Sequence, residues 1–367
     1  MRAGFNWDSV AGLAAGGGNA EAGGVDDAHW MGLALEEAAK GVGRTAPNPP
    51  VGAVLVKDGT LIGRGWHRAA GRPHAEREAL ADALRNAGAE AIRGSTAYVT
   101  LEPCSTYGRT PPCTVGLIEA GVARVVYAVT DRNPAHVGRA DALLREAGIE
   151  VLAGVREAEA TALLRSFFQV QETGRPWVIW KTAMSLDGRL TRPPGEGQWL
   201  SSPASRADVQ RLRGEVDAIL TSGETVRRDR PKLTIREPGL LEGRNQPWRV
   251  VVTGQPDSLP RDADLFTDEW RDRTLVRPVA DLPDTLRRLA AEQGVLSVLV
   301  EAGGLFSAAL FEAGCVDEIV VYLAPLLCGG DVPALAGAGL PVPLELADVT
   351  YERIGDDVRM RAPVVRG

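Results

Sequence analysis

Apolar and polar residues follow two different periods along the first half of the chain. Helical spacing of apolar residues predicts helices over residues 26–40, 74–84, 114–120 and 141–147. Short apolar runs bounded by turn residues predict strands over 51–56, 61–65, 96–101, 124–129 and 149–152, with a turn at 57–60. This alternation predicts an α/β layer with a mainly parallel sheet.

A second cycle of the same kind follows a polar segment, residues 171–176, which contains Gly and Pro and marks the predicted domain boundary. Strands are predicted over 177–181, 218–221, 249–253 and 296–300, and helices over 203–213, 282–293 and 305–313. No internal repeat relates the two halves. We therefore predict a flexible Gly/Ala-rich tail at 1–25, one α/β domain at 26–172 and an unrelated α/β domain at 173–367.

Length and charge narrow the possible functions. The 367 residues agree with two domains, and the formal net charge of −7 disfavours a protein that coats nucleic acid. Four cysteines are too few for a disulfide scaffold in a chain of this length. No apolar stretch reaches the roughly 18 residues of a membrane-spanning helix, and the N-terminal segment lacks the apolar core of a signal peptide. We expect a cytoplasmic protein with reduced cysteines.

The sharpest chemical feature is a histidine and two cysteines, each preceded by proline. These are His74, Cys104 and Cys113, and Glu76 follows the histidine by two residues. One imidazole and two thiolates suit a tetrahedral zinc ion that keeps its fourth position for water and lowers the pKa of that water. Glu76 would lie beside the ion without binding it and would transfer protons. An H-x-E pair with downstream Pro-Cys pairs is typical of zinc deaminases, although eight residues separate the cysteines here.

Taken singly, each of these residues has an ordinary structural explanation as a surface histidine or a small core residue. It is the combination, with the histidine opening a helix and a cysteine ending a strand, that indicates a metal site. The remaining cysteines, Cys315 and Cys328, lie in apolar surroundings and are expected to be buried free thiols. His29 and His136 are expected at the surface.

The second half offers a weaker signal at paired glycines. Gly303 and Gly304 stand between a predicted strand and a predicted helix, where backbone N–H groups and the helix dipole favour an anion. A plain strand–helix turn explains the same pair. No G-x-G-x-x-G fingerprint occurs, so the spacing alone indicates only an anion or nucleotide site of unspecified kind.

The motifs of the first half closely resemble the deaminase half of the bifunctional riboflavin-biosynthesis deaminase/reductases. They are residues 45–52 (TAPNPPVG), His67, 74–76 (HAE), 101–105 (LEPCS) and 108–113 (GRTPPC). The resemblance implies a cytidine-deaminase-like α/β/α domain with one zinc ion, and Asn48 and His67 facing the pyrimidine. It also explains the long spacer between the cysteines. Thr106 stands where the family usually has His, and residues 131–140 follow the family's loop only in part.

Residues 177–360 resemble the reductase half of the same family, which has a dihydrofolate-reductase-like fold and uses NADPH. The motifs are 181–189 (KTAMSLDGR), 197–202 (GQWLSS), 222–229 (SGETVRRD) and 301–304 (EAGG). Carried over by position, the NADPH contacts are Ala183, Trp199, Thr225, Asp229, Gly254, Gly303, Gly304, Leu305, Phe306, Ser307, Ala308 and Ala309. The substrate contacts are Gly197, Arg213, Leu233, Arg236 and Glu301. A guanidinium suits bidentate phosphate binding, so Arg213 and Arg236 are expected to hold a 5′-phosphate. Arg230 stands at a position where this family commonly has a second Asp.

The sequence therefore predicts a bifunctional enzyme of riboflavin biosynthesis. The first domain would deaminate a diaminopyrimidinone carrying a ribosylamino 5′-phosphate, and the second would reduce the ribosyl chain with NADPH. The expected partner is a small phosphorylated pyrimidine, with no nucleic acid or membrane, in a homo-oligomer of two or four chains. The alternatives are a paralogous deaminase of a related pyrimidine or purine-derived metabolite, a nucleic-acid base deaminase, and a degenerate regulatory protein with structural zinc. Glu76 beside three ligands favours an enzyme, because structural zinc normally takes four protein ligands.

Overall fold

A computed structural model describes residues 25–107, 111–133, 137–197 and 199–365. The chain divides into two compact units, Met1–Thr173 and Gly174–Gly367. The predicted tail lies outside the described residues except for residue 25. Outside them too are Gly108, Arg109 and Thr110 of the cysteine motif, Pro134 to His136, and Gln198.

The first unit is built on a five-stranded sheet with the order β2-β1-β3-β4-β5. Its strands are β1 (Gly52–Lys57), β2 (Thr60–Trp66), β3 (Thr96–Leu101), β4 (Arg124–Val129) and β5 (Glu150–Ala153). Its helices are α1 (Val25–Ala39), α2 (Ala75–Asn86), α3 (Ala89–Ile92), α4 (Cys113–Ala120), α5 (Arg139–Glu146) and α6 (Glu157–Thr173).

Only half of the strand pairings in this sheet are parallel, so the prediction of a mainly parallel sheet is wrong for this unit. β3 pairs with β4 and β4 with β5 in parallel, whereas β1 pairs antiparallel with both β2 and β3. The cause is the short turn between β1 and β2. Asp58 and Gly59 both have positive φ, 47° and 72°, the backbone of a two-residue hairpin, which joins antiparallel neighbours.

Helices cover both faces of this sheet. Along β1, Ala53 and Leu55 face a buried cluster that includes residues of α2, α4 and α5. Val54 and Val56 face a second cluster formed with α1 and α6. Because successive strand residues point to opposite faces, one strand contributes to both cores. The unit therefore has the predicted three-layer α/β/α architecture.

Helix α2 lies against strand β2 at unusually close range. A Cβ atom added to Gly65 would lie 2.4 Å from the backbone nitrogen of Ala79 and 2.7 Å from the carbonyl oxygen of Ala75. Only glycine permits two backbones to approach this closely. The contact fixes the start of α2, which carries two of the predicted site residues.

The second unit contains an eight-stranded sheet with the order β12-β13-β11-β6-β10-β7-β8-β9. Its strands are β6 (Trp177–Ser185), β7 (Ala218–Ser222), β8 (Trp248–Val252), β9 (Thr274–Arg277), β10 (Ser297–Val300), β11 (Glu318–Ala324), β12 (Thr350–Ile354) and β13 (Asp357–Pro363). Its helices are α7 (Pro203–Gly214), α8 (Gly223–Asp229), α9 (Pro238–Leu241), α10 (Asp264–Thr267), α11 (Leu282–Gln293) and α12 (Gly304–Glu312).

The strands from β11 to β9 are parallel, and β11, β13 and β12 form an antiparallel flank. β10 lies between β6 and β7 although it follows both in sequence. In sheets of this kind, ligands bind at the carboxyl ends of the parallel strands, where the chain changes direction across the sheet. That edge is the expected position of a site in this unit.

The predictions for one surface histidine and for two thiols have clear outcomes. His29 is exposed, as predicted, and Cys315 is a buried free thiol in the core. The prediction for Cys328 is wrong, because this residue is only half-buried. It lies in a loop after β11, where its N–H donates to Asp187 Oδ1 at 3.0 Å. In the described ranges, no helix combines the length and hydropathy needed to cross a membrane.

Candidate metal centre and ligand-binding edge

The histidine and both cysteines of the predicted metal site come together in the first unit. His74 directly precedes α2 in extended conformation, Cys104 lies in the segment after β3, and Cys113 begins α4. His74 Nδ1 lies 3.5 Å from Cys104 Sγ and 3.4 Å from Cys113 Sγ. Among the residues that the structure describes, these form the one group of three or more His, Cys, Asp or Glu side chains suited to a metal ion.

These separations fit a tetrahedral zinc ion. Zn–N bonds of about 2.0 Å and Zn–S bonds of about 2.3 Å at tetrahedral angles place nitrogen and sulfur about 3.5 Å apart. The N–H of Cys113 donates to Cys104 Sγ at 3.2 Å, as suits a thiolate. Hydrogen bonds from Cys113 and His74 lower the pKa of Cys104, whereas the hydrogen bond with Cys104, together with burial, raises the pKa of Cys113. A divalent cation would offset the repulsion between two adjacent thiolates.

Glu76 lies in the first turn of α2 and is 4% exposed. Its side chain borders a small apolar space lined by Ala53, Leu55, Val99 and Leu117, among others. Burial, and next the neighbouring Cys104, raise the pKa of Glu76. A carboxyl group with a raised pKa beside the metal ligands is suited to take up and release protons.

Asn48 and His67, both predicted to face the pyrimidine, are hydrogen-bonded to each other. Asn48 Nδ2 lies 3.0 Å from His67 Nε2, and the other ring nitrogen, Nδ1, lies 3.0 Å from the carbonyl oxygen of Pro73. The rings of His67 and His74 meet edge to face at 5.3 Å. Burial lowers the pKa of His67. The pair therefore adjoins the metal ligands.

Glu102, which sequence reasoning did not single out, anchors the loop beside this centre. Its carboxylate accepts hydrogen bonds from the backbone N–H groups of Asp131, Gly138 and Ala140, at 3.2–3.3 Å. The residue is 5% exposed although it is an acid. The available signal was a glutamate directly before the Pro-Cys pair at the end of an apolar strand, since a buried acid requires partners.

Several residues predicted to contact NADPH lie at the carboxyl ends of the parallel strands of the second unit. Ala183 is near the end of β6, Thr225 lies in the first turn of α8 after β7, Gly254 follows β8 and Gly303 caps α12. Two others follow a strand end at a greater distance along the chain. Trp199 is 58% exposed in the loop before α7 and stacks on Arg206, and Asp229 lies at the far end of α8.

The run from Gly303 to Ala309 divides into residues open to a ligand and residues packed in the core. A Cβ at Gly303 would meet nothing within 4 Å, whereas one at Gly304 would lie 2.2 Å from the carbonyl oxygen of Pro333. Gly304 is therefore explained by a close approach of the protein's own backbone. The side chains of Phe306, Ser307 and Ala308 are buried, and Leu305 is 74% exposed. Gly303, Leu305 and the backbone of the first turn remain open to a nucleotide.

Arg213 forms a buried ion pair with Glu301, which directly follows β10. Arg213 Nε and Nη2 donate to the two carboxylate oxygens at 2.7 and 3.0 Å, and Nη1 donates to the carbonyl oxygen of Thr234 at 2.8 Å. Burial opposes the charge of Glu301, but Arg213 and then Lys181 lower its pKa to about 2. The Arg213 guanidinium, which was predicted to bind the phosphate, thus binds the Glu301 carboxylate instead.

The other predicted substrate contacts are Arg236, Leu233 and Gly197. Arg236 is exposed, and its N–H donates to Gln210 Oε1 at 2.7 Å. Partial burial and the charge of Arg213 lower the pKa of Arg236, so the two cations are neighbours. Leu233 is buried with φ of 51°, a left-handed backbone that is uncommon for leucine and clusters at functional sites. Gly197 is exposed with φ of 95°.

Lys181, on β6, is a half-buried cation to which the sequence alone assigns no role. Burial lowers its pKa, while Glu301 acts in the opposite direction. Its Nζ lies 5.9 Å from the ring centre of Tyr322. The signal was a lysine in the middle of an apolar strand, where an unpaired charge is costly.

Two family models match the chain. The RibD C-terminal domain matches residues 176–360, and the cytidine and deoxycytidylate deaminase zinc-binding region matches residues 25–129. The riboflavin biosynthesis protein RibD of Escherichia coli is 42% identical over 352 residues, covering 88% of this chain and 94% of its own. The RibD protein of Mycobacterium tuberculosis is 42% identical over 318 residues, covering 86% and 89%.

Solved structures agree over both units. RibD of Acinetobacter baumannii superposes with a TM-score of 0.83 at 37% identity, covering 93% of this chain and 99% of its own. A diaminohydroxyphosphoribosylaminopyrimidine deaminase/5-amino-6-(5-phosphoribosylamino)uracil reductase of Thermotoga maritima gives 0.80 at 30% identity, with the same coverage. These matches confirm the predicted fold class of each domain.

We predict that Arg213→Ala lowers the free energy of unfolding of the second unit by roughly 3–5 kcal/mol, because it leaves the buried Glu301 carboxylate without its partner. Arg211→Ala is the matched control. It lies on the same helix with its side chain 68% exposed, and its pair with Asp208 spans 3.5 Å. Its loss should cost less than about 1 kcal/mol. Urea unfolding of both variants checks this, and equal losses would contradict the assignment of a buried pair.

Proposed function

This chain belongs to the RibD family of bifunctional riboflavin biosynthesis proteins, and from that premise we propose how its residues carry out the two reactions. The chain is an enzyme with deaminase and reductase activities. We assign the deaminase to residues 26–172 and the reductase to residues 173–367. The observation that carries the proposal is the convergence of His74, Cys104 and Cys113 around one point with Glu76 beside them.

We propose that the deaminase holds one zinc ion through His74 Nδ1 and the two cysteine sulfurs. Zinc in such a site lowers the pKa of a bound water and so supplies a nucleophile at neutral pH. Glu76 accepts a proton from the attacking water and later delivers a proton to the departing amine. Its apolar surroundings keep bulk water away from the carboxyl group. Water is consumed and ammonia is released.

The proposed substrate is 2,5-diamino-6-(ribosylamino)pyrimidin-4-one 5′-phosphate. Asn48 contacts the pyrimidine from the loop before β1, in agreement with its position next to the metal ligands. Replacement of the exocyclic amine by oxygen gives the aminouracil, with the ribosylamino phosphate intact.

We propose that the reductase binds NADPH along the carboxyl ends of its parallel strands, with the phosphates near Gly303. Bound NADPH would supply the hydride that, with one proton, converts the ribosyl chain to the ribityl chain of 5-amino-6-(ribitylamino)uracil 5′-phosphate. The protein contributes binding, orientation and electrostatics. Arg236 contacts the 5′-phosphate from its exposed position, while Arg213 holds Glu301 in place.

The rival functions are not favoured. The match to RibD proteins over 88% and 93% of this chain, across both units, argues against a paralogous single-purpose deaminase and against a degenerate zinc protein. The net charge of −7 argues against a nucleic-acid substrate. We propose a cytoplasmic homo-oligomer of two or four chains. The compartment is supported by the reduced nicotinamide and phosphorylated metabolite that the reactions require, and the oligomer by the resemblance to the family.

We predict that Glu76→Gln retains zinc but releases ammonia at least 100-fold more slowly, because the amide cannot take up the water proton. Glu78→Gln, on the more open side of the same helix, is the matched control. Zinc content and ammonia release report the two properties. The proton-transfer role would be refuted by normal turnover of Glu76→Gln with zinc bound.

We predict that Arg236→Ala raises the reductase KM for the phosphorylated substrate roughly 10- to 100-fold, as expected for loss of a charged hydrogen bond. The KM for the same substrate without its phosphate should stay unchanged. Arg211→Ala serves as the exposed-arginine control. Steady-state kinetics with both substrates check this prediction. An equal change in KM for both substrates would show that Arg236 does not bind the phosphate.

A further inference from the structure

Asn48, His67 and the Pro73 carbonyl form a chain of hydrogen bonds that ends beside the metal ligands. The backbone holds both side chains in place. The N–H of His67 donates to the carbonyl oxygen of Val51 at 2.9 Å, and the N–H of Asn48 donates to that of Thr45 at 2.9 Å. His67 is 2% exposed, whereas Asn48 is half-buried. A ligand would therefore reach Asn48 far more readily than His67.

The direction of each hydrogen bond follows from the Pro73 carbonyl. A carbonyl oxygen only accepts, so His67 Nδ1, 3.0 Å away, must carry the ring proton. In a neutral imidazole the other nitrogen, Nε2, is then an acceptor. Asn48 Nδ2, at 3.0 Å, donates to it. The tautomer of His67 thus decides which end of the Asn48 amide faces the ring.

The hydrogen bond from Asn48 Nδ2 to His67 fixes the orientation of the rest of the Asn48 carboxamide. With Nδ2 facing His67, the carboxamide keeps its oxygen and one N–H for a ligand. An acceptor next to a donor complements a ring edge that has an N–H beside a carbonyl, as a pyrimidinone lactam does. A reversed amide would place its oxygen against Nε2 and lose this match.

We propose that His67 is a positioning residue, which fixes the orientation of the Asn48 amide so that Asn48 recognises the N–H and carbonyl of a pyrimidinone edge. The inference rests on the proposed deaminase site. It replaces the expectation that His67 itself contacts the pyrimidine with one in which it acts through Asn48.

The test is a double-mutant cycle of His67→Leu and Asn48→Ala in the full chain. We expect each single variant to lower the deaminase kcat/KM roughly 10- to 100-fold, as is common for outer-sphere partners. We expect the double variant to be no worse than Asn48→Ala, because His67 has no role without the amide. Two readouts should not move: zinc content, and reductase rate with the deaminated substrate, which reports the folded state of the same chain.

His67→Gln tests the polarity of the chain of hydrogen bonds. Glutamine offers a donor for the Pro73 carbonyl and an acceptor for Asn48 Nδ2, as the neutral imidazole does. We expect it to recover most of the activity lost in His67→Leu. No recovery by glutamine, independent multiplicative effects in the cycle, or loss of zinc from His67→Leu would each overturn the positioning role.

Wild-type ammonia release separates this inference from the proposed function. If the wild-type chain releases no ammonia from the diaminopyrimidinone, the proposed deaminase and the inference both fail. If it does release ammonia and the His67 variants behave independently of Asn48, only the inference fails.

Discussion

The close approach of helix α2 to strand β2 is the constraint on which the deaminase site depends. No side chain fits between Gly65 and the first turns of α2, so that the strand sets the position of the helix start. His74 and Glu76 occupy that start, and β3 and α4 bring the two cysteines to the same place. A ligand set for zinc tolerates errors of only a few tenths of an ångström. Rigid packing of the layers therefore has to provide the geometry before any metal binds.

In the second unit, a group of three charged side chains, largely shielded from solvent, stabilises the predicted site. Lys181, Arg213 and Glu301 come from β6, α7 and the end of β10, so the group joins the central strands to the helix beside them. A buried carboxylate needs a compensating cation, and Arg213 provides it with two parallel hydrogen bonds. Glu301 is thereby held ionised at the sheet edge where parallel α/β sheets bind their ligands. The same pair explains why Arg213 is a structural partner of the site, while Arg236 remains free to reach outward.

Local patterns predicted the elements near the metal centre well, because each ligand directly adjoins a strand end or a helix start. The bounds predicted for β3, β4 and α11 are the same as those in the structure. The sequence did not predict features that depend on contacts with residues far away along the chain. Glu301 lies 88 residues from Arg213, and Gly304 is required by the backbone at Pro333. Helix α6 is absent from the predicted elements although Leu164 and Phe168 have helical spacing, because its polar carboxyl-terminal end resembles a linker. The half-exposed Cys328 likewise depends on Asp187, far away in sequence.

The most direct test of the account is a single assay on the wild-type chain, supplied with the diaminopyrimidinone ribosylamino 5′-phosphate with and without NADPH. The account predicts ammonia release without NADPH, and oxidation of an equal amount of NADPH when it is added. Removal of zinc by a chelator should stop ammonia release and leave reduction of the deaminated substrate intact. Oxidation of NADPH without prior ammonia release, or ammonia release that survives complete removal of zinc, would contradict it.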